Sequence, residues 1–559
     1  MASVEVANPM NCNPDTVRPG ANFEPSLWGD RFSSFYLDNE AYERYAKEVE
    51  VLKEVVRSML IDAKSKATEK MNLINTLDRL GIFYHFEKEI DEQLKQIFHS
   101  HAQFENHEEY NDLNTAATHF RVFRQYGHKM PSDVFNKFRD SNGKFKENLT
   151  RDVMGMLSLY EAAFLRTHGE DILDEALAFT TAHLKSVDTD ALCPFIAKQV
   201  IHALEQPLRK GIPRSEARHY ISVYEECDSK NELLLKFAKY DFNLVQLLHK
   251  QELCHMSRWW KDLEFETKLP YARNRLVECY FWAMAAYFEP HYTVPRVMLA
   301  KVIVMSSVLD DTYDAYGTLE ELKPFTEAIQ RWDWSAMDDL PDYMQVFYRT
   351  LLNLYEEFDK EVSKDGRSYS VEGSKIAFKE LSSSYYLEAK WYKEGYVPSY
   401  DEYMVNALKT AGYYLVTVSS YLGMRGIATA EIFDWVVKKP KVLVASCKVV
   451  RLMDDIVDYE EDLETGNVAT GIICYMRQNP GKMTKEKVVD VFNKGVADAW
   501  KDINEESLKP NYISKHILRR SVNLTGLVDC FFKTSDGYTH PDKVWKYHVV
   551  SLYIDAIPI

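Results

Sequence analysis

The stretch Val302-Ile-Val-Met-Ser-Ser-Val-Leu-Asp-Asp-Thr-Tyr-Asp314 joins an apolar run to three carboxylates. Read as a helix, it puts Asp310 and Asp314 one turn apart on the same face. The run Val302–Leu309 predicts that this helix is largely buried, so its acids crowd together at the end of a core element. Crowded carboxylates repel one another unless cations sit between them. Oxygen-only ligands suit magnesium, which also takes phosphate oxygens as co-ligands. Alone, the stretch reads more readily as a solvated acidic helix end.

A second stretch changes that balance. Asp454, Asp455, Asp458 and Asp462 follow another apolar helix, Val442–Leu452. The spacing of Asp454, Asp458 and Asp462 is i, i+4, i+8, a drift of only about 80° around the helix. Two buried helices ending in such ladders can face each other and hold several divalent ions. Glu460, Glu461 and Glu464 keep a solvated charged face open as the other reading of this segment. Arg273 and Arg275 precede the first ladder, and Arg451 lies one turn before Asp454. Guanidinium groups bind diphosphate through forked hydrogen bonds and keep their charge when partly buried. A diphosphate leaving group implies a carbocation, which aromatic faces stabilise. Trp282, Tyr316, Tyr413, Phe531 and Tyr538 lie near the motifs or in a late loop, although core packing is the usual role of any one aromatic.

Outward from these motifs the helical period persists. Tyr42, Tyr45, Val49, Leu52, Val55, Val56 and Leu60 follow the i, i+3, i+4 rule, as do Val153–Phe164 and Glu232–Leu253. Asn142-Gly143 is flanked by charged and polar residues rather than by alternating strands. The chain reads as all-α, and its 559 residues suggest about two to four units. The first 35 residues, rich in Pro, Asn and Gly, read as an extended arm. A loop with Pro207, Gly211 and Pro213 interrupts the middle, and Asp228–Asn231 marks a break near a domain junction. Ser363–Tyr369 and Lys533–Asp542 read as surface loops, the later one as a lid.

Composition excludes other classes. A net charge of −17 argues against a nucleic-acid partner and against docking on anionic membranes. The apolar stretch near Val294–Leu309 is interrupted by Pro295, Arg296 and Lys301, so no membrane span is expected. Eight scattered cysteines, without a CxxC pair, read as reduced, buried thiols. The start shows neither a signal core nor a transit-peptide composition, which makes the cytoplasm the expected location.

Taken together, the motifs resemble those of plant sesquiterpene synthases of the aristolochene and cadinene type, over nearly the whole chain. The resemblance rests on Arg18-Pro19 with Trp28, Leu73-Ile-Asn-Thr-Leu-Asp-Arg-Leu-Gly-Ile82 and Glu205-Gln-Pro-Leu-Arg-Lys-Gly-Ile-Pro-Arg214. It continues through Ser257–Leu263, Pro270–Arg275, Glu278–Trp282, Asp310–Thr318, Ala469–Ile472 and Asp536–Pro541. It implies two helical domains, an amino-terminal α-barrel (36–240, after an arm at 1–35) and a carboxy-terminal class I terpenoid synthase fold (241–559). It implies metal binding by Asp310, Asp311 and Asp314, with Asp454, Asp458 and Asp462 as the second ligand set. Arg273, Arg275 and Arg451 would receive the diphosphate, Asp536 and Tyr538 would belong to the closing lid, and Thr410-Ala411-Gly412 would be a helix break facing the cation. Trp282, Tyr316, Tyr413 and Phe531 would line the substrate.

Two departures stand out. The second metal motif usually reads Asn/Asp-Asp-x-x-Ser/Thr-x-x-x-Glu; here it is a second DDxxD, which leaves manganese possible beside magnesium. Phe531 stands where members that reprotonate a neutral intermediate carry tyrosine. The amino-terminal half lacks DxDD, since Asp188-Thr-Asp190-Ala191 fails at its last position. The expected activity is therefore a carbon–oxygen lyase, in which three magnesium ions, the number the resemblance implies, ionise farnesyl diphosphate for cyclisation by a monomer. A monoterpene synthase using geranyl diphosphate, a chain-elongating prenyltransferase and a non-catalytic prenyl-diphosphate binder are the alternatives. The first is disfavoured by Arg-Pro, rather than Arg-Arg, before Trp28.

Overall fold

The computed structural model describes Arg18 and residues 23–100, 108–465, 469–508, 510 and 512–559. Most of the expected arm, including Pro19, and Cys12 lie outside the described residues. Among those described there is no strand, only an isolated bridge between Arg139 and Phe145.

The first long helix, Asn39–Ile61, starts where the Asp38 carboxylate accepts the Ala41 N–H at 3.0 Å. Val49, Leu52, Val56 and Leu60 form its buried stripe. Val55, read into the same stripe, is instead 42% exposed; it sits about 100° from the stripe's centre on a 3.6-residue period. The Glu232–Leu263 helix begins at an Asn231 cap and runs on well past Leu253. It is unbroken through residue 240 and packs against both Asn39–Ile61 and Leu276–Ala286.

Six helices of the carboxy-terminal half close a ring: Leu276–Ala286, Thr293–Asp314, Ser368–Glu394, Tyr413–Ser420, Lys441–Val457 and Lys515–Phe531, each packed on the next and the last on the first. Every residue of Leu276–Ala286 is buried. The 25-residue segment Pro290–Asp314 is long and apolar enough to cross a membrane, yet 78% of its most apolar window is buried inside this protein. Its charges are neutralised internally. Arg296 is held by Glu252 at 2.7 Å and Lys301 by Glu357 at 2.8 Å.

The two halves dock through polar pairs, among them Lys515–Asp91 at 2.7 Å, Arg519–Glu87 at 3.1 Å and Lys501–Asp174 at 2.8 Å. His168 bonds Asp502 at 2.8 Å in a cluster with Glu505, which Lys441 neutralises. The described cysteines are all free, but Cys193 is exposed and Cys530 half-buried rather than buried.

Candidate active site

The Thr293–Asp314 helix carries no basic residue in its last turn, and neither does Lys441–Val457. Both helices thus end in acids where the macrodipole is already negative, an arrangement that costs stability unless a cation offsets it. In each Asp-Asp pair the second acid turns inward. Asp311, 1% exposed, accepts the Arg273 backbone N–H at 2.7 Å and lies 2.7 Å from the Arg273 Nε. Asp455, likewise buried, accepts the Tyr403 hydroxyl at 2.6 Å and lies 3.3 Å from the Arg451 Nε. The first acids take the outer forks: Arg273 Nη2 donates to Asp310 at 2.8 Å, and Arg451 Nη2 to Asp454. Each ladder therefore grips its own arginine in the same way.

The second ladder bends at Asp458, which caps Lys441–Val457, and Asp462 lies on the following helix, Tyr459–Thr465. The i to i+4 backbone bonds continue through the bend, with Asp458 N–H to Asp454 O at 3.0 Å and Asp462 N–H to Asp458 O at 2.9 Å.

The ladders converge electrostatically. The Asp310 carboxyl is raised by burial, and among the charges that oppose this is Arg451 of the other ladder. Burial also pushes Asp458 up to about 8, with Asp536 of the lid loop and Asp462 adding to the rise. Asp314 is raised well above the carboxylate range by burial, then by Asp310 and Glu388. Its side chain is solvent-accessible although protein crowds it, the combination expected of a group lining a concavity. Burial lifts Asp311 to about 6 against the pull of Arg273.

Glu388 was not singled out from the sequence. It lies on Ser368–Glu394 and accepts the Thr410 hydroxyl at 2.7 Å. Burial raises it to about 7, with Asp310 and Asp455 raising it and Arg451 opposing, so it stands within the field of both ladders. Tyr385, three residues earlier on the same helix, hydrogen-bonds Asp310. The Tyr385-x-x-Glu388 spacing was the available signal, but an isolated acid on a long amphipathic helix carries no motif. The expected helix break is present nearby: Gly412 has φ +72° between Tyr400–Thr410 and Tyr413–Ser420.

Over the ladders lies the loop 532–540. Asp536 organises it, accepting the N–H groups of Tyr538 at 2.7 Å and Thr539 at 3.0 Å. The Tyr538 hydroxyl donates to Ser307 Oγ at 2.5 Å, and its ring meets Trp282 edge-on at 5.8 Å. Trp282 Nε1 donates to the Tyr413 hydroxyl at 3.0 Å, which donates in turn to Leu524 O at 3.0 Å. Arg273 also sits 4.4 Å from the Phe23 ring of the arm and 5.3 Å from the Tyr538 ring.

Three further candidates make contacts of another kind. Arg275 donates to the backbone carbonyls of Glu24, Tyr538 and Thr539, tying arm to lid. Tyr316 stacks on Tyr271 at 4.2 Å, and the Arg18 guanidinium lies 4.3 Å from the centre of the Tyr316 ring while also donating to Glu321. Phe531 has no exposed surface and stacks at 3.9 Å on Trp545.

Residues 27–204 match the family model of the terpene synthase N-terminal domain, and residues 261–502 that of the terpene synthase family metal-binding domain. The chain is 53% identical over 561 aligned residues to a valerianol synthase of Camellia hiemalis and to a hedycaryol synthase of Camellia brevistyla, covering all of each chain. It is also similar to isoprene synthase from grey poplar leaves in complex with three Mg2+ ions and dimethylallyl-S-thiolodiphosphate. That likeness has a TM-score of 0.85 at 32% identity and covers 92% of this chain and 97% of the other. This chain belongs to the terpene synthase family. It is an enzyme, a lyase acting on an isoprenoid diphosphate, with the two-domain helical fold and a metal-binding domain.

Proposed function

We infer that this chain is a sesquiterpene synthase that uses magnesium to ionise farnesyl diphosphate and cyclises the resulting cation. The observation that carries this reading is the convergence of two carboxylate ladders, each with its own arginine, beneath one lid loop. The donor set is all oxygen, crowded and mutually repelling, which fits hard divalent cations. Asp310, Asp314 and Glu388 would hold them on one side, and Asp454, Asp458 and Asp462 on the other. Bound magnesium supplies Lewis-acid stabilisation of the departing diphosphate; three ions accord with the isoprene synthase complex.

The chain's own residues do the rest. Arg273 and Arg451 keep fixed positive charge beside the ladders, where it offsets the charge that develops on the leaving group. Trp282 and Tyr538 present aromatic surface to the cation, their rings fixed by the Tyr413 and Ser307 hydrogen bonds. The arm and lid, joined through Arg275, keep bulk water from the cation. Farnesyl rather than geranyl diphosphate is supported by the full-length relatives, which are sesquiterpene synthases. We place the arm at 1–35, the barrel at 36–240 and the catalytic domain at 241–559.

Incubation of the purified chain with farnesyl or geranyl diphosphate, with magnesium or a chelator, tests the reading by gas chromatography and mass spectrometry. Fifteen-carbon hydrocarbons or alcohols that vanish with the chelator are expected. Cyclic products from geranyl diphosphate alone, or longer prenyl chains on adding isopentenyl diphosphate, would overturn it.

A further inference from the structure

A cavity of about 180 Å³ lies between the amino-terminal helices and the Lys515–Phe531 helix, away from the acidic ladders. Its volume is far above the ~15 Å³ that one water needs. Five cationic side chains line it, Arg79, Arg121, Arg209, Lys515 and Arg519, against two carboxylates, Asp78 and Glu216. Such a local excess of positive charge is unexpected in a protein of net charge −17.

The cations differ in how they are satisfied. Lys515 and Arg519 pair with Asp91 and Glu87. The two lining carboxylates serve other donors: Asp78 accepts from Gln125 at 2.7 Å and from the Tyr126 hydroxyl at 3.3 Å, and Glu216 bonds His202 at 2.8 Å. Among the described residues, Arg79, Arg121 and Arg209 have no carboxylate at ion-pair distance, and only the through-space charge of Asp78 and Glu161 opposes the burial of Arg121. Their acceptors are neutral amides: Gln199 for Arg79, Asn75 and Gln125 for Arg121, and Asn504 for Arg209. Arg121 is only 7% exposed, and the Arg79 Nε is buried without a hydrogen-bond partner while its guanidinium lies 3.9 Å from the centre of the Tyr220 ring. Glu161 lines the polar cavity that adjoins this one and shares Arg79 and Arg121 with it. Burial lifts its carboxyl to about 7, which makes it a weak counter-charge near neutrality.

Arg121 is buried and Arg79 and Arg209 are half-buried, and a guanidinium removed from water without an ion-pair partner is costly because its charge is left uncompensated. Two of these arginines reach the cavity from barrel helices and the third from the Leu208–Lys210 turn, opposite the paired cations of the catalytic domain. Forked donors converging from several directions match an anion with many acceptor oxygens better than a single carboxylate.

We propose that this interdomain cavity is a second anion site, which takes a phosphate-type oxyanion, inorganic phosphate or inorganic diphosphate. The anion links Arg79 and Arg121 of the barrel and Arg209 of the connecting turn to the Lys515–Phe531 helix. That helix leads directly into the lid loop, where the Gly537 N–H bonds Phe531 O at 3.0 Å. The site is independent of the catalytic reading, because none of its residues touches the ladders.

Titration calorimetry of the full-length chain in chelator, with inorganic phosphate and separately with inorganic diphosphate, tests it. One saturable site is expected, kept in Arg273→Ala and weakened about tenfold or more in Arg121→Gln and in Arg209→Gln. Circular dichroism checks that each variant is folded. Arg209 is partly exposed, so Arg209→Gln should cost less stability and decides the matter if Arg121→Gln does not fold. Binding of diphosphate but not phosphate identifies the reaction's own product as the occupant, and the reverse identifies the free ion. No saturable binding, or binding lost in Arg273→Ala and kept in Arg209→Gln, overturns the proposal.

Discussion

Replacing Arg275 by alanine separates two roles that the sequence could not distinguish. The side chain, 2% exposed, donates to Glu24 O at 3.1 Å, Tyr538 O at 3.3 Å and Thr539 O at 3.4 Å. Well-formed hydrogen bonds from a charged donor are worth about 1.5–3 kcal/mol each. These are long, so about 1 kcal/mol each, and roughly 3 kcal/mol of closed-state stability, is the appropriate figure. At 1.4 kcal/mol per decade, the closed conformation loses about a hundredfold of its advantage over the open one. Arg275→Ala should therefore lower turnover, raise the share of acyclic alcohol quenched by water, and make the arm more sensitive to limited proteolysis. Arg275→Lys should fall between, since one ammonium cannot span three carbonyls. Unchanged proteolysis and unchanged product ratio, together with weaker inhibition by diphosphate, would show that Arg275 is a phosphate ligand and refute the closure argument.

Other consequences follow from the same geometry. Carboxyls whose folded-state values are raised bind more protons folded than unfolded, so their contribution to stability is present at low pH and lost as pH rises through the folded values. With Asp311 at about 6, Glu388 at about 7 and Asp458 at about 8, the metal-free melting temperature should fall between pH 5 and 8, while the increment added by magnesium grows; a flat metal increment over that range contradicts this. Glu388→Gln should weaken magnesium activation by about tenfold or more at constant substrate, measured as the metal concentration for half-maximal rate. Gly537→Ala would drive a Cβ to 2.9 Å from Phe531 O, so turnover should drop about tenfold with a melting temperature lower by only a few degrees.

Much of this was legible in the chain. The apolar runs before Asp310 and Asp454 fixed two buried helices ending in acid, and the i, i+4 spacing put Asp310 with Asp314 and Asp454 with Asp458. Local rules reach that far because they depend on neighbours three and four residues away. The rest needed three-dimensional knowledge. Which acid of each pair turns inward follows from where Arg273 and Arg451 sit. Glu388 is invisible locally, because its importance comes from helices far apart in sequence. Tyr316 and Phe531 illustrate the converse: proximity to a motif in sequence placed them beside the site, while stacking on Tyr271 and Trp545 gave them packing partners of their own.

In the proposed mechanism, two acidic helix ends jointly hold the metals that grip one diphosphate. A crystal structure with manganese and inorganic diphosphate, read by anomalous scattering, tests it most directly. Metal peaks should bridge the diphosphate to Asp310 or Asp314 on one side and to Asp454 or Asp458 on the other. Metal bound along a single ladder, with the other ladder facing solvent and the diphosphate elsewhere, would contradict it.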